Sequence, residues 1–183
     1  MDRNISIRNC SKFFTCMVLA IGIATALEVV FERCEMVYVN PKYFSNVTLN
    51  VRRYSRNGSY NLNLGGKVLR ALDKNVSIAL ILEEYLHNEY QPSFVQFKFA
   101  TCDMLKFPYI DLGKRYNLKC PIKPGYVMLR NLTVLAANFP AVFPFEKGRV
   151  YVKFYITDTE ETMALGYVYA SFKGSRRSRH FAT

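Results

Sequence analysis

The side chains that could do covalent or metal chemistry are few and scattered. The chain has two histidines, His87 and His180, and neither lies near a serine or cysteine motif of the Gly-x-Ser-x-Gly type. Acid–base and nucleophilic catalysis need such groups within reach of one another. Metal binding needs ligands at close spacing, which the cysteines and histidines do not show. We therefore expect a protein that is not an enzyme, with no catalytic residue, no metal site and no cofactor.

The first 26 residues have the pattern of an export signal. Three basic residues precede the apolar run 13–26, which ends in small residues where a signal peptidase needs them. The mature chain then starts at Leu27 and is secreted into the extracellular space. An uncleaved anchor is the alternative, but the run is short for a membrane span, and no later stretch reaches the ~18 apolar residues of a spanning helix.

The mature chain is basic. Loss of three basic residues and one acidic residue with the signal lowers the formal charge from +11 to +9. Nucleic acid is an unsuitable partner for an exported protein, so we expect none. The densest cluster is Arg176, Arg177 and Arg179, in a segment 174–183 that we interpret as a flexible basic tail. Four interpretations of this arginine cluster are open: contact with a membrane surface, contact with an acidic ligand headgroup, plain solvation, and a processing site. Residues 27–173 are then one domain.

Export makes disulfide bonds available to the remaining cysteines. Cys10 and Cys16 leave with the signal, and three cysteines stay. We pair Cys102 with Cys120 and leave Cys34 as a buried thiol, although a bond from Cys34 to either of the others remains open. A loop of this length contributes roughly 3 kcal/mol in the chain-entropy model.

Four Asn-x-Ser/Thr sequences add to the secretory interpretation. Four acceptors in an exported chain predict that at least one carries a glycan, and that the asparagines point to water. The predicted glycosylation sites are Asn46, Asn57, Asn75 and Asn131.

Apolar and polar residues alternate along most of the chain with the period of two typical of half-buried strands. The run 76–86 also suits a helix by propensity, but its β-branched residues favour a strand. Seven or eight short strands with turns between them predict an all-β, two-sheet antiparallel β-sandwich or cup, and a closed barrel is the alternative. The predicted strands are 31–39, 47–54, 60–64, 76–86, 94–100, 126–135, 148–157 and 162–172.

The connections between these strands are predicted from turn residues. Hairpins are expected at 56–59, where Asn-Gly supplies positive φ angles, and at 158–161. Residues 91–93 should turn the chain, and 68–72, after two glycines, is ambiguous. Between Cys102 and Cys120 we expect one or two short helices, limited by Pro108 and Gly113.

Four segments together resemble a secreted insect protein family. They are Cys34-Glu35; Phe97 to Cys102 with Asp103-Met104-Leu105; Asn117-Leu118-Lys119-Cys120-Pro121; and the two Phe-Pro pairs of 139–144 before Gly148-Arg149-Val150-Tyr151-Val152. That family includes the CheB chemosensory proteins and is similar to the ganglioside activator and the ML lipid-recognition folds. The resemblance covers almost the whole mature chain, but this chain lacks the cysteine that members generally have soon after the first.

The resemblance implies a β-sandwich or cup around an apolar pocket that binds a lipid or another hydrophobic small molecule, in some relatives for taste or pheromone sensing. Aromatic residues are unusually frequent near one predicted end of the sandwich, where a pocket mouth would lie. The alternative to a pocket is ordinary core packing. The aromatic residues predicted to line the pocket are Phe97, Phe99, Phe107, Tyr109, Phe139, Phe143 and Phe145.

Two functions remain at this stage. The first is a secreted binding protein for a hydrophobic molecule. The second is an extracellular accessory protein that binds a membrane receptor or channel and has no ligand pocket. A ligand released by solvent extraction would distinguish them.

Overall fold

Two antiparallel sheets form the protein. The computed structural model describes residues 28–56, 58–110, 112–134 and 146–173. The larger sheet has five strands in the order β1-β8-β7-β4-β5, and the smaller has three in the order β2-β3-β6. The strands are β1 (Glu28–Val39), β2 (Phe44–Arg53), β3 (Tyr60–Val68), β4 (Val76–Leu86), β5 (Glu89–Ala100), β6 (Gly125–Leu132), β7 (Lys147–Ile156) and β8 (Thr162–Lys173). The predicted all-β sandwich is confirmed.

Two four-residue helices follow β5, as the sequence predicted. They are α1 (Thr101–Met104) and α2 (Leu112–Arg115). The Thr101 hydroxyl is fully buried and donates to the carbonyl of Val76 at 2.9 Å, which ties the start of α1 to β4. A Cβ on Gly113 would lie 2.8 Å from the carbonyl oxygen of Leu105. Glycine therefore lets the start of α2 pack closely against the chain that leaves α1.

Strand β4 lies inside the large sheet, which settles the choice between strand and helix for residues 76–86. It pairs with β5 on one side and with β7 on the other. Its inward row includes Val76, Ile78 and Leu82, all buried. The β-branched residues thus prevail over the helix formers, because two neighbouring strands satisfy the backbone of this segment.

The turn predicted at residues 91–93 is wrong. The chain reverses at His87 and Asn88, which both have positive φ (50° and 68°), as a tight two-residue hairpin requires. Residues 91–93 lie within β5. Pro92 is compatible with this position because β5 is an edge strand.

The two glycines after residue 64 do not end a strand. Strand β3 continues through Gly65 and Gly66 to Val68, between β2 and β6. A Cβ on Gly65 would lie 2.7 Å from Met128 Cε, so the glycine accommodates the side chain of the neighbouring strand. The ambiguous segment that follows holds only an isolated bridge between Leu72 and Ile122.

Both predicted hairpins connect paired antiparallel strands. Residues 54–59 join β2 to β3, and residues 157–161 join β7 to β8. Positive φ angles were expected for the Asn-Gly pair, but Gly58 does not have one. Asn57 lies outside the described residues.

The space between the sheets has two ends with different packing. At the packed end, ten buried residues from both sheets and both helical segments form one cluster. At the hollow end, five buried residues of the large sheet, Phe31, Leu82, Val168, Ala170 and Phe172, form a second cluster. Val51 and Leu62 of the small sheet pack against this second cluster.

Candidate functional site

A cavity of about 530 Å³ occupies the hollow end. This volume is within the ~300–1,000 Å³ range of small-molecule sites. All five strands of the large sheet contribute to one wall, and β3, β6 and the segment after α1 contribute to the other. The lining residues are Val29, Phe31, Leu62, Leu80, Leu82, Phe94, Val95, Phe97, Phe107, Tyr109, Ile110, Leu132, Thr133, Val134, Val150, Val152, Val168, Ala170 and Phe172.

The lining is almost entirely hydrocarbon. Seventeen of the nineteen residues have side chains with no polar atom, and the other two are Tyr109 and Thr133. No charged side chain lines the cavity among the described residues. Burying such a surface away from water is favourable by roughly 25 cal/mol per Å². The cavity therefore favours an apolar guest over a polar one.

Small residues on β8 help to leave this space open. The inward row of β8 runs from Ala164 through Gly166 and Val168 to Ala170 and Phe172, and its last three residues line the cavity. A Cβ on Gly166 would lie 2.8 Å from the carbonyl oxygen of Glu35 on β1, so no side chain fits there. The small side chain of Ala170 leaves space beside it that a larger side chain would occupy.

The segment closed by the disulfide bond supplies an aromatic wall. Cys102 and Cys120 are bonded, with their Cα atoms 5.5 Å apart. Within the closed loop, the Phe107 ring lies 5.3 Å from the ring of Phe97 and 5.2 Å from that of Tyr109. The loop thus packs its aromatic residues against β5 at the edge of the cavity, as a disulfide-bonded flap would.

Of the seven aromatic residues predicted to line a pocket, the structure brings four together. Phe97, Phe107 and Tyr109 line the cavity. Phe99 does not line it, but its ring lies 4.9 Å from that of Phe107 and supports it. Phe139, Phe143 and Phe145 lie outside the described residues. The role of all seven in ligand binding stays a prediction.

Aliphatic residues make up most of the lining, and the sequence-based prediction missed them. Leu80, Leu82, Val150 and Val152 all belong to the inward rows that strand alternation identifies. Alternation shows that a residue faces inward but not whether something packs against it. The sequence therefore identifies these residues as inward-facing, but it does not show that a cavity lies beside them.

The rim of the cavity combines one exposed ring with one cation. Phe94 is 85% exposed although it lines the cavity, so it lies at the mouth. Thr133 lines the cavity, and its hydroxyl accepts a hydrogen bond of 2.9 Å from Nη1 of Arg115. The pKa of the neighbouring Tyr116 phenol is raised, mainly by burial, while the positive charge of Arg115 opposes this shift.

A smaller cavity of about 130 Å³ lies at the packed end. Met36, Phe44, Leu64, Leu112 and Phe154 are among its lining residues. An apolar cavity of about 150 Å³ in another protein stays dry and admits a molecule the size of benzene. The packed end is therefore too full for a lipid, and the hollow end is the candidate binding site.

The outer face of the large sheet is built differently. The Arg149 guanidinium lies 4.0 Å from the ring of Tyr167 and 4.4 Å from that of Tyr90, and it forms an ion pair with Glu83. Burial opposes the charge of Arg149, but hydrogen bonds to Glu83 and Tyr169 outweigh this effect and raise its pKa. Tyrosine rings and arginines thus cover this face.

The remaining reactive groups form no second site in the described part of the chain. Cys34 is an unbonded, half-buried thiol on β1, and burial raises its pKa, which makes it a weak nucleophile at neutral pH. The described residues contain no group of histidine, cysteine or carboxylate side chains placed to hold a metal ion. Across the same residues, the helices are too short or too polar to cross a bilayer.

Three of the four predicted glycosylation sites lie on the described surface. Asn46, Asn75 and Asn131 are exposed, as glycan attachment requires. Asn57 lies outside the described residues. Whether any of them carries a glycan stays a prediction.

The chain was compared with solved structures, protein-family models and curated proteins. A Niemann-Pick type C2 protein from the Japanese carpenter ant aligns with 76% of this chain and 96% of its own, at 12% identity and a TM-score of 0.36. No protein-family model matches the chain. The curated proteins give no match either. These comparisons assign neither a family nor a ligand to the chain, and the resemblance to the CheB-containing family stays a prediction.

Proposed function

We propose that the protein is a secreted binding protein that holds a lipid or another hydrophobic small molecule in the cavity at the hollow end. The observation that carries this proposal is the apolar lining of a 530 Å³ space between two sheets. Seventeen hydrocarbon side chains around a space of this size would otherwise border water or vacuum, and both are unfavourable. A bound hydrocarbon restores those contacts.

Solvent extraction tests the proposal. The protein should be purified from the medium of a secreting cell without detergent, extracted with organic solvent, and the extract quantified by mass spectrometry. We expect close to one hydrophobic molecule per chain. The proposal is wrong if the extract holds none and the stripped protein also fails to take up lipids or a fluorescent apolar probe.

A cavity-filling variant makes the test specific to the site. Ala170→Leu adds hydrocarbon to the floor of the cavity, which has room for it, so we expect the fold to persist and ligand uptake to fall at least tenfold. Ala71→Leu makes the same change at an exposed loop position and should leave uptake unchanged. Circular dichroism checks that both variants fold. Equal uptake by Ala170→Leu and the parent would place the ligand elsewhere.

Secretion and glycosylation belong to the same proposal. An export signal at 1–26, cleaved before Leu27, would deliver the chain to the compartment in which the bond between Cys102 and Cys120 forms. N-terminal sequencing of the secreted protein tests the cleavage, and the mass lost on glycosidase treatment tests Asn46, Asn75 and Asn131. A role in taste or pheromone sensing is our proposal from the family resemblance, and expression in sensory hairs tests it.

The alternative is an extracellular accessory protein that binds a receptor or channel through its surface. The outer face of the large sheet favours it, because tyrosine and arginine are enriched in protein interfaces. Under this alternative, Ala170→Leu has no effect on function. Removal of the charges of Arg149 and Glu83 together abolishes partner binding. Hydrophobic ligands do not bind and do not affect partner binding.

A further inference from the structure

Polar side chains are rare in the lining of the cavity. Apart from Tyr109, Thr133 is the one lining residue with a polar side chain in the described part of the protein. Its hydroxyl accepts a hydrogen bond of 2.9 Å from Nη1 of Arg115. An exposed guanidinium is therefore bonded to a residue of a lining that is otherwise almost entirely hydrocarbon.

The charge of Arg115 is not neutralised by a carboxylate among the described residues. Lys42 pairs with Glu161 and Arg149 pairs with Glu83, so neither of these ion pairs between described residues includes Arg115. Arg115 is exposed and lies in the last turn of α2. The guanidinium keeps N–H groups beyond the one bonded to Thr133, and its planar shape suits the two oxygens of an anion.

We propose that Arg115, positioned by Thr133, recognises an anionic head group, so that the preferred ligand is an amphiphile with a carboxylate or phosphate at the rim and hydrocarbon in the cavity. This inference rests on the proposed function and names its ligand class. Hydrocarbon burial supplies most of the affinity, and the charged hydrogen bond at the rim supplies the preference among ligands with equal tails.

A matched ligand series tests the proposal. The protein is stripped of lipid, and displacement of a fluorescent apolar probe is measured with four ligands of the same chain length, which end in a carboxylate, a phosphate monoester, a primary alcohol or a methyl ester. We expect one of the two anions, or both, to bind at least tenfold more tightly than the alcohol and the ester. Which anion binds best identifies the source of the head group.

Variants at the rim then assign the preference to Arg115. Arg115→Gln should reduce anion binding to the level of the alcohol and leave alcohol binding unchanged, while Arg115→Lys keeps part of the preference. Arg52→Gln removes the same charge at an exposed position of β2 and should keep all of it. If Arg115→Gln weakens all four ligands equally, Arg115 has only a structural role and the inference is wrong.

Failure of this inference is distinct from failure of the proposed function. If alcohol, ester and anions bind the parent protein equally well, the cavity binds hydrophobic molecules but Arg115 does not select among them. If none of the four ligands displaces the probe and the probe itself does not bind, the proposed function is wrong and the inference falls with it.

Discussion

The packed end and the hollow end of the sandwich lie between the same two sheets but are filled differently. At the packed end, residues from the disulfide-bonded loop, such as Leu105 and Leu112, enter the space between the sheets. At the hollow end, the same loop places Phe107 and Tyr109 along the side of the space. The interior is therefore filled where the loop between Cys102 and Cys120 enters it, and hollow where the loop lies along its side.

The largest expected effect comes from matched truncations at the two ends. Leu105→Ala at the packed end should lower the free energy of unfolding by about 2–5 kcal/mol, because it opens a new cavity in a filled region. Leu82→Ala at the hollow end should cost at least ~1 kcal/mol less, because Leu82 already borders empty space and loses fewer contacts. Urea unfolding of stripped protein measures both.

That comparison also reports whether the hollow is filled. Adding ligand should enlarge the effect of Leu82→Ala and leave the effect of Leu105→Ala unchanged, because ligand contacts exist at one end only. Equal losses for the two variants in stripped protein would mean that the two ends are equally well packed, and the distinction between core and container would be wrong.

Removal of the disulfide bond should affect both ends. The double substitution Cys102→Ser with Cys120→Ser should lower the free energy of unfolding by roughly 3 kcal/mol, since the bond closes a loop with a sequence separation of 18. It should also weaken ligand retention, because the aromatic wall is part of that loop. Thermal unfolding and the extraction assay measure the two effects. Full ligand retention in a destabilised variant would show that the wall does not depend on the bond.

The smallest effect is expected in acid, at the packed end. A hydrogen bond of 2.8 Å from Tyr43 Oη lowers the pKa of Glu161, with Lys42 and Asn40 assisting, although partial desolvation opposes the shift. A lowered pKa in the folded state stabilises the protein above the ordinary glutamate pKa of about 4.3, and that stabilisation is lost as pH falls through the folded-state pKa.

Tyr43→Phe should therefore make the melting temperature less dependent on pH below about 4.3. Glu160→Gln, on the same hairpin, serves as the control and should keep the dependence of the parent protein. An acid dependence unchanged in Tyr43→Phe would show that this hydrogen bond does not set the pKa of Glu161.

Most of the strands could be predicted from local patterns. Alternation located β1, β2, β4, β7 and β8 to within a few residues, because one side of each strand is apolar. Where a prediction was wrong, a single residue was interpreted without its surroundings. Pro92 was interpreted as a turn residue because the sequence does not show that β5 is an edge strand, and Gly65-Gly66 was interpreted as a break because the sequence does not show Met128 next to it.

The site could be predicted only in part, for a related physical reason. The aromatic residues Phe97, Phe107 and Tyr109 stand out by type, whereas Val150 and Ala170 look like ordinary core residues. A cavity is a difference between the volume that two layers enclose and the volume that their side chains occupy. That difference depends on strand order and on the position of the loop, which are long-range properties. The rim residue Arg115 was missed because it meets Thr133 only in the folded chain.

Pro92 also affects whether two copies of the protein can pair through the edges of their large sheets. Strand β5 ends the large sheet, so its side away from β4 pairs with no other described strand, and an extended segment of another chain could add there. Pro92 has no N–H group, so it cannot donate a ladder hydrogen bond to an added strand. A proline in an edge strand is one of the features by which β-proteins discourage such edge-to-edge addition.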